Sequence, residues 1–482
     1  MVSKMTQLVW FRNDLRMADN PALYHALEVG KTVRCLYIHS EKQNEAHDMA
    51  PIQLDFIERQ LNELAQSLAK HGVTLEIIDT EDYQSLPEDL LHYASQHGIK
   101  AVHFNRQYFL NEQRRDEAVH DILQGAGIKV ADYAVDSVIE PGELLTGSGD
   151  MYKVFTPFSR AWMKAVDARG YSVYGEPDWS KIPAQQVTTE TIKLSGEKKD
   201  SSEYPVGEAH AHERLKEFAK ERLIDYGRDR DFPAINGTSQ LSHLLAVGVL
   251  SANQCLSAIE QQLGRLPRSK DEPGFTWLNE LIWRDFYRHL MEAFPHVAMH
   301  KAFKADTNDL AWPGDESYFK AWCEGKTGFP IIDAAMRCLN ATGWMHNRLR
   351  MIVASFLTKD LHIDWRQGEQ YFMRQLIDGD FASNNGGWQW AASTGADAAP
   401  YFRIFNPTTQ SERYDKQGEF IKTWLPELKE VPSRHIHAPV EYLSAYDSDN
   451  LYPKPVVNHK LQRELTLKLF QEHKESPQGD LF

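Results

Sequence analysis

The sequence predicts two dissimilar folding units, an N-terminal α/β domain on a doubly wound parallel sheet and a larger all-α domain after it. Three observations lead there. Short apolar runs alternate with amphipathic helical stretches along the first part of the chain. A stretch rich in Pro, Gly, Ser and Lys follows. Beyond His210 helical periodicity dominates, tryptophan and arginine become dense, and β-branched runs nearly vanish.

Taken in order, the strands are expected at Gln7 to Phe11, Thr32 to Ile38, Thr74 to Ile78 and Ala101 to Phe104. Between them lie helical patterns such as Ile52 to Lys70, where Leu54, Ile57, Leu61, Leu64 and Leu68 recur every three or four residues. Strands separated by helices of that length imply parallel βαβ units. The α/β domain is therefore drawn as residues 1–136. Residues 137–205 read as a linker with a short helix near Phe158 to Ala168, and residues 206–482 as the all-α domain.

Composition narrows the function only loosely. Of 482 residues, 42% are hydrophobic and 25% charged, near the average of folded globular chains. No stretch approaches the roughly 20 apolar residues of a membrane span, and the start lacks a signal-peptide core, so a cytoplasmic protein is expected. The four cysteines (Cys35, Cys255, Cys323, Cys338) form no CxxC, which argues against a disulfide framework or a zinc site. The net charge of −15 means that any nucleic-acid site must be a local basic patch.

Five clusters in the helical half carry chemistry. Gly237-Thr238-Ser239-Gln240-Leu241-Ser242 places three hydroxyls before an apolar helical stretch, which suits either an ordinary N-cap or a diphosphate. Trp277, Glu280 and Arg284 share a helix face with Trp283 beside them, either as a core helix with a salt-bridged rim or as a carboxylate for a base edge. In Gly343 to Met351, Asn347 and Met351 share one face, while Leu349, Ile352 and Phe356 line the opposite, core-facing side. Asp378-Gly379-Asp380 leads into Asn384-Asn385-Gly386-Gly387-Trp388-Gln389-Trp390, a density that core packing does not require. Its DxD pair suits a divalent metal, but the glycine and tryptophan neighbours favour an aromatic ligand, so no metal is assigned. Trp312, Trp365 and Trp388 are core filling by default, or a relay for single electrons.

Several common sites are missing. No GxGxxG follows a strand, Gly325-Lys326-Thr327 lacks the first glycine of a P-loop, and neither GxSxG nor HExxH occurs.

Leu8-Val-Trp-Phe-Arg-Asn-Asp-Leu-Arg16, WLNELIWRDFYRHL, TGWMHNRLRM, DGDFASNNGGWQWAASTG and AAPYFRIFNPTTQ together resemble the photolyase and cryptochrome family. The likeness is strongest to bacterial class I cyclobutane pyrimidine dimer photolyases and covers nearly the whole chain. It implies an antenna-binding α/β domain and a helical domain that holds reduced FAD noncovalently. Tyr226, Thr238 to Ser242, Trp277, Arg350, Asp378, Gly379, Asp380 and Asn384 are the implied FAD contacts, with Asn384 at flavin N5 and Arg350 neutralising Asp378. Glu280, Trp283, Asn347, Arg348, Met351 and Trp390 are the implied lesion contacts, with Lys153, Arg230 and Arg403 on phosphates. His47, Asn111 and Glu112 match a folate pattern, so 5,10-methenyltetrahydrofolate is the expected antenna, with a deazaflavin or no antenna as alternatives.

The implied activity is that of a carbon–carbon lyase: an electron from the light-excited flavin opens a flipped-out dimer and then returns, while Glu280 stabilises the reduced dimer. Trp312, Trp365 and Trp388 would rereduce oxidised flavin. The implied partner is damaged DNA, and the protein is expected to be a monomer. Six-four photolyases carry histidines where Asn347 and Met351 stand, and plant cryptochromes carry Asp at Asn384. A blue-light sensor or a DASH-type enzyme acting on single strands is the alternative.

Overall fold

The computed structural model describes residues 6–29, 32–183, 187–447 and 449–475. The chain ends and residues 184–186 of the expected linker lie outside that description.

Five parallel strands form one sheet: β1 (Thr6–Phe11), β2 (Thr32–His39), β3 (Leu75–Asp79), β4 (Ile99–Asn105) and β5 (Lys129–Tyr133). Their order, β3-β2-β1-β4-β5, reverses direction beside β1, as the doubly wound expectation requires. Register sets Val9 against Cys35 and Leu8 against Val102, and β1 buries nearly every side chain because helices cover both faces. The four expected strands are present to within two residues at each end. β5 was not anticipated, since Lys-Val-Ala-Asp-Tyr sits half-exposed at the sheet edge and shows no apolar run.

The crevice beside β1 is filled from within. Arg12 pairs with Asp116 at 2.7 Å and donates to the Asn105 carbonyl, while Asn105 donates to Asp14 at 2.5 Å and to Asn20 at 2.9 Å. Arg12 and Asp14, just after β1, thus join Asn20, Asn105 and Asp116 in one buried polar network, in which Arg12 Nε is left without a partner among the described residues.

Four helices matter in the first compact unit, which comprises residues 1–224, 239–298 and 377–379. These are α1 (Pro51–Ala69), α2 (Leu110–Gly125), α3 (Phe155–Arg169) and α4 (Phe275–Ala293). α1 buries Leu54, Ile57, Leu61, Leu64 and Leu68, the stripe its spacing predicts. α3 is the helix expected inside the linker, longer by a few residues. It docks on α4 through Phe158 against Phe286 and through the Trp162 indole N–H, which donates to buried Asp285 at 2.8 Å. Burial pushes Asp285 up to about 6, although Trp162, Arg284 and two backbone amides oppose the shift.

The second unit comprises residues 225–238, 299–376 and 380–482, and helices joined by loops, with no strand, make up its described residues. Its framework is α5 (Pro330–Thr342), α6 (Asn347–Lys359), α7 (Trp365–Met373), α8 (Phe381–Ala392) and α9 (His459–Glu475). One core cluster joins Ile332, Leu349, Ile352, Phe356, Trp365 and Trp388. No helix among the described residues is long and apolar enough to cross a membrane.

Candidate functional site

In the first unit the candidate residues of α4 sit on one helix face. Trp277 is buried against Phe218, with ring centroids 4.7 Å apart, and Glu280 is half-buried. Arg284 is committed to Asp136 at 2.8 Å, so the salt-bridged rim exists at that residue. Trp283 is half-buried and lies flat on Phe155, with centroids 3.6 Å apart and planes 3° from parallel. Lys153, two residues before Phe155, is exposed.

Gln240, Leu241 and Ser242 lead into a helix of only five residues, Ser242–Ala246, whose N-cap Leu241 provides no side-chain bond. Thr238 and Ser239 are therefore not consumed as caps. Gln240 turns the backbone at φ +53°, and neighbouring His243 is buried with Nε2 lacking a partner among the described residues. Burial pulls His243 down to about 4, which keeps it neutral. Asp378 is buried, and the Gly379 carbonyl accepts from Gln53 at 2.8 Å.

The sheet domain brings His47, Asn111 and Glu112 together. Asn111 lies 3.0 Å from His47 Nε2, Glu112 lies 3.8 Å from Nδ1, and the Tyr83 ring meets the imidazole edge-on at 5.7 Å. Tyr83 escaped the sequence reading because nothing near it repeats or clusters.

In the second unit α6 behaves as its spacing predicts: Leu349, Ile352 and Phe356 are buried, Asn347 is exposed and Met351 half-buried. Arg348 pairs with Asp231 at 2.9 Å and lies over the Tyr414 ring at 4.4 Å, which holds its guanidinium in place. His346 caps α6 by accepting from the Arg348 amide, leaving its buried Nε2 without a partner among the described residues. Arg350 donates to the Met345 carbonyl at 2.8 Å. Tyr226 is buried with Arg230 over its ring at 5.4 Å, and Arg403 is exposed.

Asp380 caps α8 by accepting from the Ser383 amide at 2.9 Å, so part of the DxD pair is a helix start. One turn on, Asn384 donates its amide to the Glu369 carbonyl at 2.9 Å, which leaves Oδ1 as its side-chain acceptor. Buried Glu369 accepts from Asn385, and Asn385 from Gln389, so this polar ladder fixes the face that carries Asn384. Glu369 gave no sequence signal, being one carboxylate in an aromatic helix.

Trp365 and Trp388 belong to the core cluster, and Trp312 packs against it. Trp388 meets Phe372 at 5.0 Å and the unanticipated Trp322 at 6.0 Å. Trp390 is half-buried. No group of three or more metal-ligating side chains occurs among the described residues.

The donor set suits a flavin dinucleotide. In the second unit buried His346 holds a ring nitrogen with no partner among the described residues, and Asn384 keeps an amide oxygen of the kind a protonated flavin N5 requires. In the first unit, taken by itself, buried His243 likewise holds a ring nitrogen with no partner among the described residues, and the Ser239 hydroxyl is not used as a helix cap.

Residues 7–178 match the family model for DNA photolyase, and residues 277–472 that for the FAD binding domain of DNA photolyase. A deoxyribodipyrimidine photo-lyase of Salmonella typhimurium is 47% identical over 470 residues, covering 97% of this chain and 98% of its own. Its counterpart from Escherichia coli is 45% identical over 469 residues, with coverages of 97% and 98%. A bacterial class III photolyase from Agrobacterium tumefaciens, known from its crystal structure, matches with a TM-score of 0.87 at 35% identity over 99% of both chains. With both family models matched in order and near-full-length relatives at such identity, this chain belongs to the DNA photolyase family.

Proposed function

We propose that the protein is a class I deoxyribodipyrimidine photo-lyase that uses light to split cyclobutane pyrimidine dimers in DNA. The observation that carries this reading is 47% identity over 97% of the chain to a protein of that name. Reduced FAD, when bound, supplies on excitation the electron that weakens the dimer's cyclobutane bonds and that returns once the ring has opened.

The residues of this chain bind, orient and exclude. Tyr226, Thr238, Ser239, Gln240, Leu241, Ser242, Trp277, Arg350, Asp378, Gly379 and Asp380 hold the dinucleotide, with the hydroxyls on its phosphates. Asn384 offers Oδ1 to a protonated N5, a role that its bond to the Glu369 carbonyl supports. Trp312, Trp365 and Trp388 conduct electrons for rereduction. A dimer inside a duplex is out of reach, so it must be extruded, and a distorted lesion costs less to unstack than intact bases. Trp283 and Trp390 offer stacking surfaces, worth about 1–3 kcal/mol per base in single-strand systems. Glu280, Asn347, Arg348 and Met351 line the lesion's place, while Lys153, Arg230 and Arg403 supply local positive charge on a chain of net charge −15.

A folate antenna at His47, Asn111 and Glu112 completes the reading. The convergence of those three side chains supports it, and the crevice beside β1, filled by Arg12, Asp14, Asn20 and Asn105, leaves the rim as the better place for a chromophore. The protein works as a cytoplasmic monomer.

Illuminating the reduced protein with dimer-containing DNA tests the activity, and light-dependent restoration of pyrimidines is expected. Binding of flavin and DNA without restoration would point to a light sensor. A strong near-ultraviolet band lost on denaturation and absent in His47→Ala would mark the folate; flavin bands alone in the parent protein would remove it.

A further inference from the structure

We propose that Phe155 is a positioning residue for lesion binding: it backs Trp283 and holds that indole as a rigid, one-sided stacking surface. The proposal rests on the reading of Trp283 as a platform for an extruded base.

The geometry separates this pair from ordinary core packing. Phe155 is only 7% exposed and has no polar atom to offer DNA, so it acts through another residue. Its ring lies 3.6 Å from Trp283 at 3°, covering one indole face, while Phe286 meets the same indole nearly edge-on at 5.6 Å and 80° and Tyr287 packs on it tilted, at 5.5 Å and 34°. Trp283 nevertheless remains half-buried. What remains accessible of the indole lies away from Phe155 and beside Tyr287, and that is the surface a base would use for stacking. An indole free to swing would lose rotamer freedom on binding, whereas one held flat beforehand loses little.

Phe155 opens α3, and exposed Lys153 lies two residues earlier, so one short segment carries both the backing ring and a candidate phosphate contact. α3 stays docked without Phe155, because Phe158 packs on Phe286 and His289, and Trp162 bonds to Asp285. The role is thus separable from the fold.

Equilibrium titrations in the dark, with a dimer-containing oligonucleotide and its undamaged twin, test the idea on Phe155→Leu, Phe155→Met, Phe155→Tyr and Trp283→Ala holoproteins. Phe155→Leu and Phe155→Met should raise Kd for the lesion by about threefold to tenfold, the scale of one lost aromatic stack, and leave Kd for undamaged DNA unchanged. Phe155→Tyr should restore parental affinity. Should either aliphatic variant fail to fold, the other keeps the comparison. Equal weakening toward both DNAs would overturn the proposal by making the role structural, as would parental lesion affinity in both aliphatic variants while Trp283→Ala binds weakly. Parental affinity in Trp283→Ala would instead overturn the reading of Trp283 itself.

Discussion

Trp388 lies so close to Gly368 that a methyl group at residue 368 would come within 2.2 Å of the indole Cη2. The glycine is present because the indole takes its space. A Gly368→Ala substitution should therefore destabilise the protein by about 1–3 kcal/mol through overpacking. Thermal denaturation reads that loss. Since the indole must shift to admit the methyl group, photoreduction of oxidised flavin should also slow, and an unchanged rate would mean that the contact is packing alone.

Trp388 itself is buried against Phe372 and Trp322 and touches no solvent-borne reductant. Replacing it by Phe should block photoreduction in the presence of a thiol while sparing repair by chemically reduced protein. If both activities disappear, Trp388 is structural only.

Glu280 stands half-buried on the face of α4 that carries Trp277. Glu280→Ala should lower the number of dimers split per absorbed photon more than it lowers affinity for damaged DNA. The two measurements are made on one preparation, and an undiminished yield per photon removes the assigned role.

Lys359 is a buried cation whose ammonium meets Ser393 Oγ at 2.8 Å and the Phe470 ring at 4.1 Å. Burial, with Lys304 nearby, pulls its pKa down from 10.5 to about 7. The folded protein thus releases a proton that the unfolded chain still holds. Between those two values the unfolded state binds more protons, so this group's contribution to stability rises with pH. Lys359→Met should be most stabilising relative to the parent at and below about pH 7, with the gap narrowing as the pH rises from there toward 10.5 in paired melting curves. A constant gap would contradict the burial effect.

Periodicity made the sheet and the helical half legible, because each strand of the buried sheet interior is a continuous apolar run and α1 and α6 keep their stripes. The edge strand β5 escaped because a half-exposed strand has no such run. Dense motifs such as Asp378 to Trp390 pointed to a ligand, since no core needs that crowding of amides, glycines and indoles. Single supporting residues were invisible for the opposite reason. Phe155, Glu369, Trp322 and Tyr83 act by contacts with residues far along the chain, and nothing beside them in sequence marks those contacts.

The central claim is that bound reduced flavin passes an electron to an extruded dimer, and the excited flavin's fluorescence lifetime tests it most directly. On saturation with dimer-containing DNA the lifetime should shorten sharply, while undamaged DNA at the same occupancy leaves it unchanged. A lifetime indifferent to the lesion, in protein shown to be flavin-loaded and saturated with damaged DNA, would contradict the account.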